Sequence, residues 1–382
     1  MRRLFTPLLI FSVFFVFSCA SRKVTLPPPA RVKPPVEEPV IRVLVSREYE
    51  RVTVIPRNVR VLDAGGRPVS PPGNPVTVNA RGDVLVVEGK VEPLVRIEGD
   101  SPVTIDGDSY SPPLYLVAVG GRVGIVNLVP LERYVSLVLV HEAPGRFKIE
   151  ALKAIAVAAR SYALSMKERR RGEPYDLSGD TFHQLFRGER KVESSIAEAV
   201  NETRGEVLTF RGRPALAVYH STCGGRTESA RALWGRDIPY LRSVECGFCT
   251  ISPRYRWTFE VEREEFLRRL RGEGVRGRTL LDVEITGRSG SGRARSVEVR
   301  TEKGTWDIPA RRIRRRLGLE KIRSLLFRVT VNNGSVRFDG KGFGHGVGLC
   351  QYGAEGMAEE GAGYREILRY YYGNRVRLEK LY

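Results

Sequence analysis

Glu142 stands where an apolar run, Tyr134–Val140, gives way to His141-Glu142-Ala143-Pro144-Gly145. A carboxylate placed there loses water on one side. Desolvation raises its pKa and suits it to donate a proton near neutrality. A helix starting just beyond it would pull the other way, because a helix N-terminus favours the anion. The competing reading is a solvated surface glutamate beside a turn.

Three further constellations carry polar chemistry. The stretch Tyr219-His220-Ser221-Thr222-Cys223-Gly224-Gly225-Arg226-Thr227 reads as a polar loop after a strand, a place where ligand-binding groups collect. Ser221 beside His220 suggests a hydrolase, yet nucleophile and base normally meet through the fold and not as sequence neighbours. Gly342-Phe343-Gly344-His345-Gly346-Val347-Gly348-Leu349-Cys350-Gln351-Tyr352 alternates glycine with larger residues, which permits a tight loop and close backbone approach. No Gly-Lys-Ser/Thr follows, so it is not a phosphate loop. Cys223, Cys246, Cys249 and Cys350 complete the set. Four thiols including a Cys-x-x-Cys pair fit a tetrahedral zinc site, structural because no coordination position stays open. Two disulfides in an oxidising compartment fit as well.

The elements that must hold these groups read as α+β: mixed sheets, a central catalytic helix, a β-rich N-terminal portion and an inserted α/β subdomain. Ile41–Val45, Val84–Val87 and Leu114–Val119 are apolar or β-branched and predict strands within residues 41–125. Phe147, Ala151, Ile155, Ala158 and Tyr162 recur at helical spacing. A second helix is expected over Ile196–Val200, and a strand pair, Val207–Phe210 with Ala215–Tyr219, around Arg211-Gly212-Arg213. The catalytic core spans 126–254 and resumes over 339–382. Residues 255–338 between them form the insertion, with a helix at Glu262–Arg271, a basic helix at Arg311–Arg316 and three strands.

The 382 residues carry 63 Lys and Arg against 44 Asp and Glu, a formal charge of +19. Such a surface attracts polyanions. No nucleic-acid motif with interleaved aromatics is present, so nucleic acid is not the expected partner. The N-terminus points outside the cytoplasm. Arg2 and Arg3 precede the apolar Leu4–Phe17, too short for a transmembrane helix, and Val16-Phe17-Ser18-Cys19 resembles a bacterial lipobox. That likeness implies a signal peptide over 1–18 and lipid on Cys19. Residues 19–40 are Pro-rich, the composition of an extended spacer that would hold the body off the membrane.

Taken together, His141-Glu142-Ala143-Pro144, the helix from Glu150 to Leu164, the loop Ser221–Thr227 and the segment Gly342–Ala354 resemble the stage II sporulation protein D family. That family includes the LytB amidase enhancers. The resemblance implies a peptidoglycan lytic transglycosylase. It would cut peptide-free glycan between N-acetylmuramic acid and N-acetylglucosamine, with Glu142 as single acid/base, in an exported lipoprotein facing the periplasm or cell wall. It implies a cleft lined by His220, Ser221, Thr222, His345, Gln351 and Tyr352, with Arg160 fixing a substrate acyl group or Glu142. Family members used in sporulation carry a metal site in a Cys-containing stretch before Gln-Val-Tyr. Here that stretch is Asp180-Thr181-Phe182-His183-Gln184-Leu185-Phe186, without cysteine.

Two rivals remain at this level. One is a non-catalytic wall-binding protein that recruits or activates an amidase. The other is a hydrolase with a second carboxylate, Asp180, Glu228 or Asp237, about 5–9.5 Å from Glu142.

Overall fold

The computed structural model describes residues 37–382, apart from residues 72, 181 and 182. The expected signal peptide, Cys19 and all but the end of the Pro-rich spacer lie outside the described residues. Among the described residues no helix is long and apolar enough to cross a membrane.

The fold is α+β, as expected. Val40–Tyr49 runs antiparallel to Arg122–Pro130, with Val40 opposite Pro130 and Leu44 opposite Val126. These two strands centre a six-stranded sheet, in the spatial order Leu177–Ser178, Val40–Tyr49, Arg122–Pro130, Leu114–Val119, Leu94–Gly99, Val59–Leu62. Ile41 and Val43 are fully buried, as the period-2 pattern of a strand with one covered face requires. A four-stranded sheet from Arg51 to Glu92 shares their core.

Helix α1 (Leu131–Glu142) leaves the sheet directly from Pro130. Helix α2 (Ile149–Arg169) follows and is the axle of the core: from Ala151 to Ser165 every residue except Lys153 is buried. A helix apolar on all sides must be enclosed, and its alanines let neighbours approach closely. The sequence made the central helix catalytic. In the structure α2 is scaffolding, and Glu142 is the last residue of α1. Helices α3 (Ser194–Glu202) and α4 (Ala230–Trp234) follow.

The expected hairpin around Arg211-Gly212-Arg213 exists only as a stub, Thr209–Phe210 against Arg213–Pro214. The main partner of Glu206–Phe210 is the C-terminal strand Arg377–Lys380. Tyr219–His220 separates from the hairpin and pairs in parallel with Leu349–Cys350. Chain-distant partners thus displace the local pairing.

Residues 256–341 build two three-stranded sheets with helices α5 (Arg263–Leu270) and α6 (Ala310–Leu317) around a second core that includes Phe266, Val297, Ile313 and Phe338. Helices α7 (Gln351–Glu359) and α8 (Tyr364–Tyr372) close the chain against the first core.

Candidate functional site

Glu142 is half-buried. Burial pushes its carboxyl above the usual range. Because Glu142 ends α1, the negative end of that helix acts in the same direction, not against it as the sequence suggested. Two neutral groups oppose this. The Leu185 N–H donates to Oε1 across 3.0 Å. The Gln351 amide lies beside the carboxylate and also favours its anion, although Gln351 Nε2 has no partner at full hydrogen-bonding geometry. Among the described residues no second carboxylate is among the groups that shift Glu142. Glu228 is instead buried with its oxygens engaged by Ser229 N, Ser289 Oγ and Ser291 Oγ, and Asp180 accepts from Ser178 Oγ. Asp237 is exposed.

The donor at Leu185 is held by its neighbour. Gln184, 1% exposed, accepts from Tyr134 Oη at 2.9 Å and donates to Tyr219 Oη at 2.9 Å and to the Ala159 carbonyl at 3.3 Å. Neither Gln184 nor Leu185 stands among the site residues expected from sequence. The signal was their loose match to the Gln-Val-Tyr motif.

In the segment after Glu142, Phe147 meets Tyr352 edge-on at 5.1 Å between ring centroids, and Lys148 N–H donates to Glu355 of α7. Tyr352 N–H, at the start of α7, donates to the Ser221 carbonyl. Ser221, Gln351 and Tyr352 therefore gather at one end of α7. The intervening glycines make this possible. A Cβ at Gly342 would sit 2.5 Å from the Thr222 carbonyl oxygen, and one at Gly348 would overlap Val218. Both residues have positive φ.

Other expected ligands turn elsewhere. Arg160 is fully buried and forks onto Glu132, with Nε to Oε1 at 3.0 Å and Nη2 to Oε2 at 2.7 Å, and it also reaches the Glu206 carbonyl. A buried guanidinium requires such a partner, so Arg160 is a core residue, not a substrate ligand. His345 spends both ring nitrogens on main chain, Nε2 on the Tyr219 carbonyl and Nδ1 on Val347 N–H. Burial lowers it to about 4. His220 is buried, with Nδ1 on the Val347 carbonyl. It makes no bond to Ser221, whose hydroxyl partner is Thr222 Oγ1 at 3.3 Å. Thr222 is 1% exposed and bonded to Ser252. The two histidines and Thr222 thus shape the loop from behind.

Cys223, Cys246, Cys249 and Cys350 are buried, with all four sulfurs within 4.8 Å of one another. Cys223 and Cys249 are 3.5 Å apart, and none of the four is in a disulfide. A disulfide needs about 2.05 Å. Four sulfurs around one ion at about 2.3 Å stand near 3.8 Å from each other, so the donor set fits zinc. The surroundings fit as well: Cys223 N–H donates to Cys350 Sγ, and Tyr371 Oη contacts Cys246 Sγ. Gly353 leaves the room, since a Cβ there would come within 2.7 Å of Cys246 Sγ.

Residues 119–210 match the family described as Stage II sporulation protein (SpoIID), and residues 247–348 match a domain of unknown function, DUF8618. An uncharacterized protein of Brachyspira hyodysenteriae is 34% identical over 73% of this chain and 74% of its own length. Stage II sporulation protein D of Bacillus subtilis is 34% identical over 70% of this chain and 79% of its own. The amidase enhancer of the same organism is 26% identical over 62% and 39%. By the match over residues 119–210, which include Glu142, and by relatives 34% identical across more than two thirds of both chains, the chain belongs to the stage II sporulation protein D family.

Proposed function

We propose that this chain is a cell-wall protein that cleaves glycan strands as a lytic transglycosylase, with Glu142 as its single acid/base. The observation that carries this reading is the environment of Glu142: a carboxyl whose pKa is raised by burial, opposed by two neutral donors, with no second carboxylate among the described groups that shift it. Inverting and retaining hydrolases need two carboxyl groups. A transglycosylase needs one. Glu142 gives its proton to the glycosidic oxygen as the C1–O bond breaks. The resulting carboxylate is the species that Leu185 N–H and Gln351 stabilise. It then takes the proton of the C6 hydroxyl as that oxygen bonds to C1, which closes the 1,6-anhydro ring and restores the acid. Ser221, Gln351 and Tyr352 are the side chains offered to the sugar.

The four cysteines hold a structural zinc in this reading, which supplies cross-linking of the loop 221–223 to the start of α7. The lipobox-like Cys19 supports export and lipid anchoring. Peptide-free strands are the substrate that the family resemblance favours. The name of the amidase enhancer relative favours a second reading, a glycan-binding activator of an amidase in which Glu142 is dispensable.

Product mass spectrometry on peptide-free strands separates them. Anhydro-ended fragments from the protein, absent with Glu142→Gln, are the expected result. Reducing-end fragments would mean a hydrolase. Binding without cleavage by either protein would leave the activator.

A further inference from the structure

Residues 256–341 carry 22 Lys and Arg against 12 Asp and Glu, so less than a quarter of the chain holds more than half of its excess positive charge. Several of these cations are already engaged. Arg312 and Arg316 share Glu273, Arg314 binds the Ile322 and Arg323 carbonyls, and Arg293 binds the Cys223 and Arg226 carbonyls. Arg295 and Arg311 lie at the seam with the first core.

One group of cations stands apart. An open groove of about 830 Å³ is lined by Arg271, Val275, Arg276, Arg278, Glu302 and Lys303, together with two glycines. Its four cations are exposed, and among the described residues none of them forms an ion pair with an acidic side chain. The one carboxylate of the groove is spent on main chain. Glu302 Oε1 accepts from Arg278 N–H and Oε2 from Thr279 N–H, both at 2.9 Å, and these bonds hold its carboxyl below the usual range.

The groove is also preformed. Thr301 Oγ1 donates to the Arg276 carbonyl at 2.7 Å and accepts from Lys303 N–H at 3.1 Å. Val275 is buried. Gly277 has a φ of +112°, and a Cβ there would come within 2.5 Å of Thr301 Oγ1. These bonds fasten the loop after α5 to the turn at 301–303, so the backbones that carry Arg276, Arg278 and Lys303 are fixed relative to one another. Fixed cations along a concavity suit an anion that recurs along a strand, and the arginine fork matches phosphate oxygens. No aromatic side chain, on which nucleic-acid bases would stack, stands among the described residues of the lining.

We propose that this groove binds a linear, base-free polyphosphodiester of the cell envelope and holds the protein on that polymer at a site separate from Glu142. The cell-wall part of the reading above supplies the setting; cleavage by Glu142 does not enter.

The test titrates poly(glycerol phosphate) calorimetrically into three purified proteins at physiological salt. They are the parent, a groove variant carrying Arg276→Ser, Arg278→Ser and Lys303→Ser, and a control carrying Arg57→Ser, Arg81→Ser and Lys90→Ser, which removes the same charge from exposed positions of the first body. The groove variant is expected to bind about tenfold more weakly and the control to bind like the parent. Melting temperatures check the folds. Should the triple variant unfold, Lys303→Ser alone reads the site, with a loss of about threefold expected. Equal losses in the groove variant and the control would reduce the effect to net charge and overturn the proposal. So would absence of binding by the parent, or displacement of the polymer by equimolar inorganic phosphate, which would assign the groove to free oxyanions. Groove-dependent binding of equal strength to a single-stranded oligonucleotide with the same number of phosphates, or to phosphatidylglycerol vesicles, would overturn it in favour of nucleic acid or a bilayer. Product analysis with Glu142→Gln reads the other site, so either reading can fail alone.

Discussion

Cys350 and Gln351 are adjacent in the chain and serve two different sites. The Cys350 thiol enters the four-sulfur cluster, while the Gln351 amide lies beside the Glu142 carboxylate. The cluster therefore fixes the start of α7 one residue away from the amide that faces the proposed acid.

That adjacency predicts a coupling between metal and activity. Purified protein should contain about one zinc per chain by elemental analysis, and Cys350→Ser should lose most of it. Chelation should lower the melting temperature, because metal binding at such sites contributes folding free energy, and should abolish strand cleavage. Thiol titration of denatured, metal-free protein should find the four cysteines reduced. Finding none free would establish disulfides in place of metal.

Glu142 should cost stability at neutral pH. Its folded pKa is raised above that of the unfolded chain, where a glutamate titrates near 4.3. Above the folded value the folded state carries a carboxylate it disfavours. Below the unfolded value both states are protonated and the penalty vanishes. Glu142→Gln should thus be more stable than the parent at pH 7, with the gap closing as pH falls below about 4. Denaturant titrations at the two pH values check this.

Cleavage should follow the same group. As the starting form of Glu142 is the acid, the rate should fall on the alkaline side as that proton is lost, at a pH above the ordinary carboxylate range. A pH profile of kcat/KM reads the position of that limb.

Arg160 should matter to folding and not to substrate recognition. Burial opposes the charge on Glu132, yet Arg160, Tyr382 Oη and Gly205 N–H together hold its carboxyl below the usual range. Arg160→Ala leaves that charge buried without its main partner and should cost about 3–5 kcal/mol. KM of the surviving folded fraction should be unchanged.

Gln184→Leu should lower activity with the fold retained at some cost. The change strands two buried hydroxyls, on Tyr134 and Tyr219, at about 1–3 kcal/mol each. It also loosens the segment that aims Leu185 N–H at Glu142. A fall in kcat larger than the change in KM is the expected signature.

These sites differ in how far they could be read from sequence. The strands at Val84–Val87 and Leu114–Val119 are set by local β-branched patterns and lie where the pattern put them. The four cysteines could be grouped by residue type alone, because few other arrangements suit four thiols. Arg160 could not be assigned. An arginine within an apolar helix looks like a ligand-binding charge until Glu132 is seen opposite it, and that partner lies 28 residues away. His345 shows the same limit, since its partners are main-chain atoms that carry no sequence signal. The dipole at Glu142 was misjudged because Tyr134–Val140 was apolar enough to hide that it is a helix ending on the glutamate.

Arg256 and Lys341 face each other across an antiparallel ladder that runs on to Glu262 and Ser335. The chain thus leaves the first core and comes back to it through one pair of adjacent strands. Topologically, the whole of residues 256–341 is a hairpin whose tip has swollen into a body with its own interior. Shortening it to a plain turn would leave Glu142, Gln351 and the four cysteines in a continuous chain path. It would take away Arg293, Arg295 and Arg311. Lineages could therefore gain or lose this second body as a unit, with the first core left whole.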